Sequence, residues 1–156
     1  MLKLITLLLT FVVSTATFGQ PRAMFMLGAI HADSITYCGN DPIPHKLNSF
    51  TPGIGIGYDF SPSVMAAGGV WKTSQGTVTG FAYADWRPLR EDNVSAGLFA
   101  GVSGGYCIYE NSYGPIGGLT VRADFEKASL HFLYIPEIGS KKNTETVGMG
   151  VSFPFK

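Results

Sequence analysis

An all-β fold, an eight-stranded antiparallel up-and-down transmembrane β-barrel, is what this sequence predicts, and three observations predict it. Bulky apolar residues alternate with small or polar ones at a period of two. This pattern recurs in eight segments of roughly ten residues separated by turn residues, and the chain opens with an export segment. An even number of strands closed on itself leaves no unpaired edge, which is what a bilayer demands of any strand that crosses it.

The export segment comes first. Lys3 supplies positive charge, Leu4 to Val13 form an apolar run, and the small residues Ser14, Ala16, Thr17 and Gly19 follow. That run is about half the ~20 residues a membrane-spanning helix needs. The expectation is therefore a cleaved signal peptide over residues 1–19 and one outer-membrane barrel domain over residues 20–156.

The strands follow in order. Ala23 to His31 is the first candidate. The clearest is Pro52 to Phe60, where Ile54, Ile56, Tyr58 and Phe60 alternate with Gly53, Gly55, Gly57 and Asp59. Val64 to Lys72, Thr77 to Trp86, Val94 to Tyr106, Pro115 to Asp124 and Ala128 to Pro136 continue the series. The last strand sets Val147, Met149, Val151, Phe153 and Phe155 against Gly148, Gly150, Ser152 and Pro154. Alternation alone does not say whether the apolar face meets lipid or a core, so a soluble lipocalin-type barrel is the structural rival.

The connections favour the membrane. With both termini periplasmic, Ala32 to Ser49, Thr73 to Gly76, Cys107 to Gly114 and Glu137 to Thr144 lie outside, and on average they exceed Ser61 to Ser63, Arg87 to Asn93 and Phe125 to Lys127 in length. Aromatics gather near strand ends as two interfacial girdles, with Trp71, Tyr106 and Tyr134 outside and Phe60, Trp86, Phe153 and Phe155 inside. Pro52, Pro115 and Pro136 lack N–H donors and sit at strand ends, where they predict gaps in the ladder wide enough for a lipid chain to enter sideways.

Composition excludes several functions. Eleven basic and eleven acidic residues cancel, which argues against nucleic acid, whose binding needs a basic surface. There is no P-loop and no H-E-x-x-H zinc site, and neither a cofactor nor a metal is expected. Cys38 and Cys107 match no zinc spacing; in an oxidising compartment they pair as a disulfide between loops or remain two separate thiols, and both readings are open.

Of His31, His45 and His131, only His31 gains from topology. It ends the first strand at the outer rim, level with Thr73-Ser74-Gln75-Gly76 after the third. An imidazole and a hydroxyl held at one rim suit acyl transfer, with the imidazole as general base and the hydroxyl as nucleophile or transition-state donor.

Several segments then resemble, in order, the lipid A palmitoyltransferase family (PagP-like enzymes). They are Gly28-Ala29-Ile30-His31-Ala32, Trp71-Lys72-Thr73-Ser74, Trp86-Arg87-Pro88-Leu89 with Glu91-Asp92-Asn93, Ala96 to Val102, and Tyr134-Ile135-Pro136. The resemblance implies an eight-stranded outer-membrane barrel that moves an acyl chain from a phospholipid to lipid A or lipopolysaccharide, working as a monomer, with His31 and Ser74 as catalytic residues. The family's Asp is replaced by Thr73, which leaves Thr73 itself or Asp33, two residues after His31, as candidates for the orienting group. The family's N-terminal helix has no counterpart, and the spacing from Ser74 to Trp86 is a few residues short. These departures leave an alternative open: a catalytically inactive or altered barrel of the same kind, acting through its loops as a surface binding or exclusion protein.

Overall fold

A computed structural model describes residues 19–33, 35–37, 44–105, 113–136 and 145–155. Most of the expected signal peptide, both cysteines and Tyr106 lie outside the described residues. Ten strands form: β1 (Gln20–His31), β2 (Ile35–Tyr37), β3 (Pro44–Lys46), β4 (Gly53–Ser61), β5 (Val64–Lys72), β6 (Val78–Glu91), β7 (Val94–Ser103), β8 (Gly114–Asp124), β9 (Ser129–Ile135) and β10 (Thr146–Pro154). Eight of them close an antiparallel barrel in the order β1-β10-β9-β8-β7-β6-β5-β4, while β2 and β3 pair as a separate hairpin. The barrel is the expected one. The hairpin was not expected, because its three-residue strands are too short for a ten-residue pattern to register.

One end of the barrel carries both barrel termini and tight turns, and the other carries the longer connections. At the turn end, Asp92 adopts a positive φ of 47° between β6 and β7, as a two-residue hairpin connection requires. Strand β7 stops at Ser103, short of the expected Tyr106, and Gly105 then takes a φ of 76° that no strand residue adopts.

Strand β6 corrects the sequence reading most. Trp86-Arg87-Pro88-Leu89 is not a turn; the strand runs through it to Glu91. Trp86 pairs with Leu98 but Leu89 pairs with Ala96, so one extra residue bulges out. The bulge accommodates Pro88, which has no N–H to offer the ladder, and turns the wholly buried Arg87 into the lumen. Gly97 lies against this bulge: a Cβ there would collide with the Trp86 carbonyl oxygen and stand 2.7 Å from Arg87 Cα. Gly97→Ala is therefore expected to lower barrel stability by ~1–3 kcal/mol, since neither contact is with a movable side chain. A urea midpoint of gel-shift unfolding in micelles that does not move would refute it.

The surface is turned inside out relative to a soluble barrel. Phe25, Leu27, Ile30, Ile54, Ile56, Val70, Leu98, Val102, Leu119 and Phe153 are exposed on the outside, whereas Arg22, Asp85, Arg87, Arg122 and His131 are buried inside. This is the arrangement of a barrel that spans a bilayer. Of the expected girdles, Trp86 and Phe153 are exposed at the turn end, but Trp71 turns inward and stacks on Phe81 with centroids 4.9 Å apart.

The lumen is filled in two layers. Near the turn end, Arg22 bonds Asp59 at 3.2 Å, Ser129 at 2.6 Å and Ser152 at 2.9 Å. Arg122 bonds Asp59 and Asp124, both at 2.6 Å. Arg87 pairs with Asp85 and faces Asp59 at 3.8 Å. Three guanidinium groups and three carboxylates thus cross-brace β1, β4, β6 and β8, with Ser129 and Ser152 adding β9 and β10. Toward the loop end lies an apolar layer of Met24, Met26, Met65, Ala67, Phe81, Tyr83, Phe99 and Leu133. A lumen filled in this way is a plug, not a channel.

Candidate functional site

Above the apolar layer, a cavity opens at the loop end. Its lining includes His31, Thr51, Thr73, Ser74 and Thr146 among apolar residues such as Met26, Trp71, Phe99, Leu133 and Ile135. His31 and Ser74 therefore both line this cavity. Thr73 joins them, with 1 % of its surface exposed, and Ser74 keeps 4 %. Asp33 does not join them; it is exposed just past β1 and lines no part of this cavity.

How these residues meet follows from the strands. Strand β1 carries a register shift between Met26 and Gly28, which changes which residues face inward and points both Ala29 and His31 toward the lumen. Thr73 and Ser74 leave β5 in a tight connection in which Thr73 N–H donates to the Thr77 carbonyl at 2.8 Å and Gly76 N–H donates to the Thr73 carbonyl at 2.9 Å. The segment after β3 joins the two walls: Asn48 N–H donates to the Ser74 carbonyl at 2.8 Å, and Ala29 N–H donates to the Ser49 carbonyl at 2.9 Å.

The side chain bonded to the His31 ring is a different one from Thr73 and Asp33. The Thr73 hydroxyl accepts from Thr77 N–H at 3.2 Å, so it stabilises its own turn. The His31 ring is held instead by Thr146, whose Oγ1 lies 2.9 Å from Nδ1. Thr146 opens β10 directly opposite His31 in the β1–β10 register, so its side chain is the natural neighbour. In the tautomer whose Nδ1–H donates to Thr146, Nε2 carries the lone pair; in the other, Nδ1 accepts from the hydroxyl. Nε2 is buried and has no side-chain hydrogen-bond partner among the described residues, and the Asn48 backbone stands close to the ring.

Chemically, the pair is an imidazole beside a neutral hydroxyl, with no carboxylate in the cavity lining among the described residues. A Thr hydroxyl fixes the orientation of an imidazole as a carboxylate does, but adds no negative charge to stabilise the imidazolium. The cavity is also narrow, about 30 Å³ as its side chains stand, which suits a water or two and not an acyl chain. Below it, Met24, Met26 and Met65 are unbranched side chains of the kind that reshape readily around a guest.

The described β8–β9 pairs run from Leu119 opposite Tyr134 to Asp124 opposite Ser129, and β8 continues along β7 to Gly114. Pro136 follows the end of β9, and Pro115 is already inside β8, opposite Val102. At Pro52 the ladder is closed, because its carbonyl accepts Lys72 N–H at 2.8 Å.

Two other sequence features take structural roles. Gly101-Val102-Ser103-Gly104-Gly105 has the G-x-S-x-G spacing but forms no hydrolase elbow: Ser103 ends a strand, is fully buried and donates to the Gly104 carbonyl at 3.3 Å. His131 is 2 % exposed, with Nε2 2.8 Å from Ser152 Oγ in the polar layer.

No family model matches the chain, and no curated protein matches it. Solved structures do resemble it. A de novo designed barrel described as TMB2.3, solved by solution NMR, aligns with a TM-score of 0.60 at 14% identity over 88% of this chain and 96% of its own. A structure described as de novo design of transmembrane β-barrels aligns with a TM-score of 0.58 at 12% identity, over 87% of this chain and 96% of its own. At such identities the likeness is one of fold alone.

Proposed function

We propose that this chain is an outer-membrane acyltransferase that moves a fatty acyl chain from a phospholipid to lipid A or lipopolysaccharide in the outer leaflet. The observation that carries the reading is the convergence of His31 and Ser74, from β1 and the connection after β5, on one cavity at the loop end, with no hydrogen-bond partner for His31 Nε2 among the described residues in that cavity. In the tautomer with the proton on Nδ1, that nitrogen can take a proton.

In this reading His31 Nε2 accepts the proton of the attacking hydroxyl as its oxygen bonds to the ester carbonyl carbon. The intermediate then expels the lysophospholipid oxygen, which receives the proton back from His31. Ser74 supplies a hydroxyl beside that carbon, either as a first acceptor of the acyl chain or as a donor to the oxyanion, where one donor is typically worth ~10² to 10³ in rate.

Two observations favour a second reading, a surface binding or exclusion barrel that has lost turnover: the narrow cavity and the hydroxyl of Thr146 where a carboxylate would be stronger. Mass spectrometry of lipid A and phospholipids from cells with and without the protein separates the two. An added acyl chain on lipid A with matching lysophospholipid is expected; unchanged lipid A in cells whose membranes contain the folded barrel would overturn the enzyme reading.

A further inference from the structure

We infer that Trp71 is a third catalytic residue of this site, its indole N–H donating to the carbonyl oxygen of the acyl ester. The inference rests on the acyl-transfer reading. Buried indole N–H groups almost always find an acceptor. Trp71 Nε1 is buried and has none among the described residues, and Trp71 lines the same cavity as His31 and Ser74.

The chemistry of the vacant partner follows from the donor and its surroundings. An indole N–H only donates, so the guest atom is an acceptor. Met26, Ala29, Ile116 and Ile135 line the cavity together with Lys72 and the hydroxyls of Thr73 and Ser74, and a neutral ester oxygen enters such a mixed lining at a smaller desolvation cost than a charged phosphate. That oxygen becomes negative when the attacking hydroxyl bonds to the carbonyl carbon and the C=O electron pair moves onto it. The donor therefore binds the intermediate more strongly than the substrate, which is the condition for accelerating the step. When the intermediate collapses, the pair re-forms the C=O bond, the lysophospholipid oxygen leaves, and its proton comes from His31. Trp71 is well placed for this duty because its ring is held against Phe81 at 4.9 Å and it stands three residues before Ser74, at the end of a paired strand.

Trp71→Phe in the folded mature barrel tests this, since it keeps a ring against Phe81 and deletes only the donor. The expected result is a fall in kcat of ~10² to 10³, with KM and heat-modifiable migration unchanged. A second measurement does not depend on turnover. In ¹⁵N-labelled protein the Trp71 indole resonance, identified by its loss in Trp71→Phe, is expected to move when a diester phospholipid is added and to stay when a diether phospholipid of equal chain length is added. Trp86, exposed on the outer surface, is the internal control. Full kcat in Trp71→Phe, or an indole that responds alike to ester and ether, would overturn the assignment. Absence of acyl transfer by the unmodified protein would instead sink the acyl-transfer reading, while the indole response tests the carbonyl contact separately.

Discussion

His31→Ala is expected to reduce acyl transfer by ~10² to 10⁴, the range a positioned general base supplies, while the barrel keeps its heat-modifiable migration. The truncation removes the buried Nε2 and leaves the ladder intact, because His31 pairs through its backbone with Thr146 at the end of β1. Ser74→Ala is expected to cost a similar factor, and the double variant little more than either alone, since residues acting on one proton and one carbonyl are not additive. Thr146→Val separates orientation from base strength: it keeps the β-branched shape at the start of β10 and deletes the hydroxyl that holds Nδ1. A loss of at least about tenfold is expected there, smaller than the ~10⁴ seen when a triad loses its carboxylate. Asp33→Asn and His45→Ala, both at exposed positions, are expected to change nothing. Initial rates with a chromogenic acyl ester in micelles would settle the set, and full activity in both His31→Ala and Ser74→Ala would eliminate the site. His131 is unsuitable as a control because it is packed against Ser152 in the polar layer.

The largest loss of stability is expected from Asp59→Ala. Asp59 accepts from Arg22 and from Arg122 and faces Arg87 at 3.8 Å. Its removal leaves three buried guanidinium groups with two carboxylates, and stripping one partner from a buried ion pair typically costs ~3–5 kcal/mol. Asp59→Asn retains an acceptor oxygen and is expected to fall between. The check is the urea midpoint of gel-shift unfolding in micelles, and a change below ~1 kcal/mol would show that the network is dispensable. Asp59 lines no part of the cavity, so the folded fraction is expected to keep its acyl-transfer rate.

Much of this architecture is legible in single strands. The glycines of β4 and the Gly148, Gly150 and Ser152 face of β10 mark stretches of wall that leave room for large inward side chains of other strands, and their apolar partners mark the opposite face. What the sequence did not disclose depends on register. Thr146 lies one residue before the expected start of the last strand, and nothing local says that it stands opposite His31 until β1 and β10 are paired. The bulge in β6 was hidden because Pro88 reads as a turn residue; only the burial of Arg87 against Asp85 explains why the strand continues. The ionic layer was within reach, since Asp85 and Arg87 continue the parity of Phe81 and Tyr83, the inward residues of the same strand. Charged residues in phase with buried aromatics are a signal that composition alone dilutes.

The polar layer also bears on how the barrel comes apart. Its members are held by β1, β4, β6, β8, β9 and β10, and β1 joins β10 only when the two ends of the chain meet. Pairs within one strand or hairpin, such as Arg122 with Asp124 and Ser129 with Asp124, need no closure, whereas the bond from Arg22 to Ser152 completes only when β1 meets β10. Interactions absent from the transition state slow unfolding while leaving the folding rate nearly unchanged. The seam between the first and last strands is where a barrel opens, and Arg22 on β1, bonded to Ser152 on β10, stitches it from inside. Persistence of the closed form thus depends on a late-forming latch in the lumen more than on the apolar exterior, which a bilayer solvates in the open and closed forms alike.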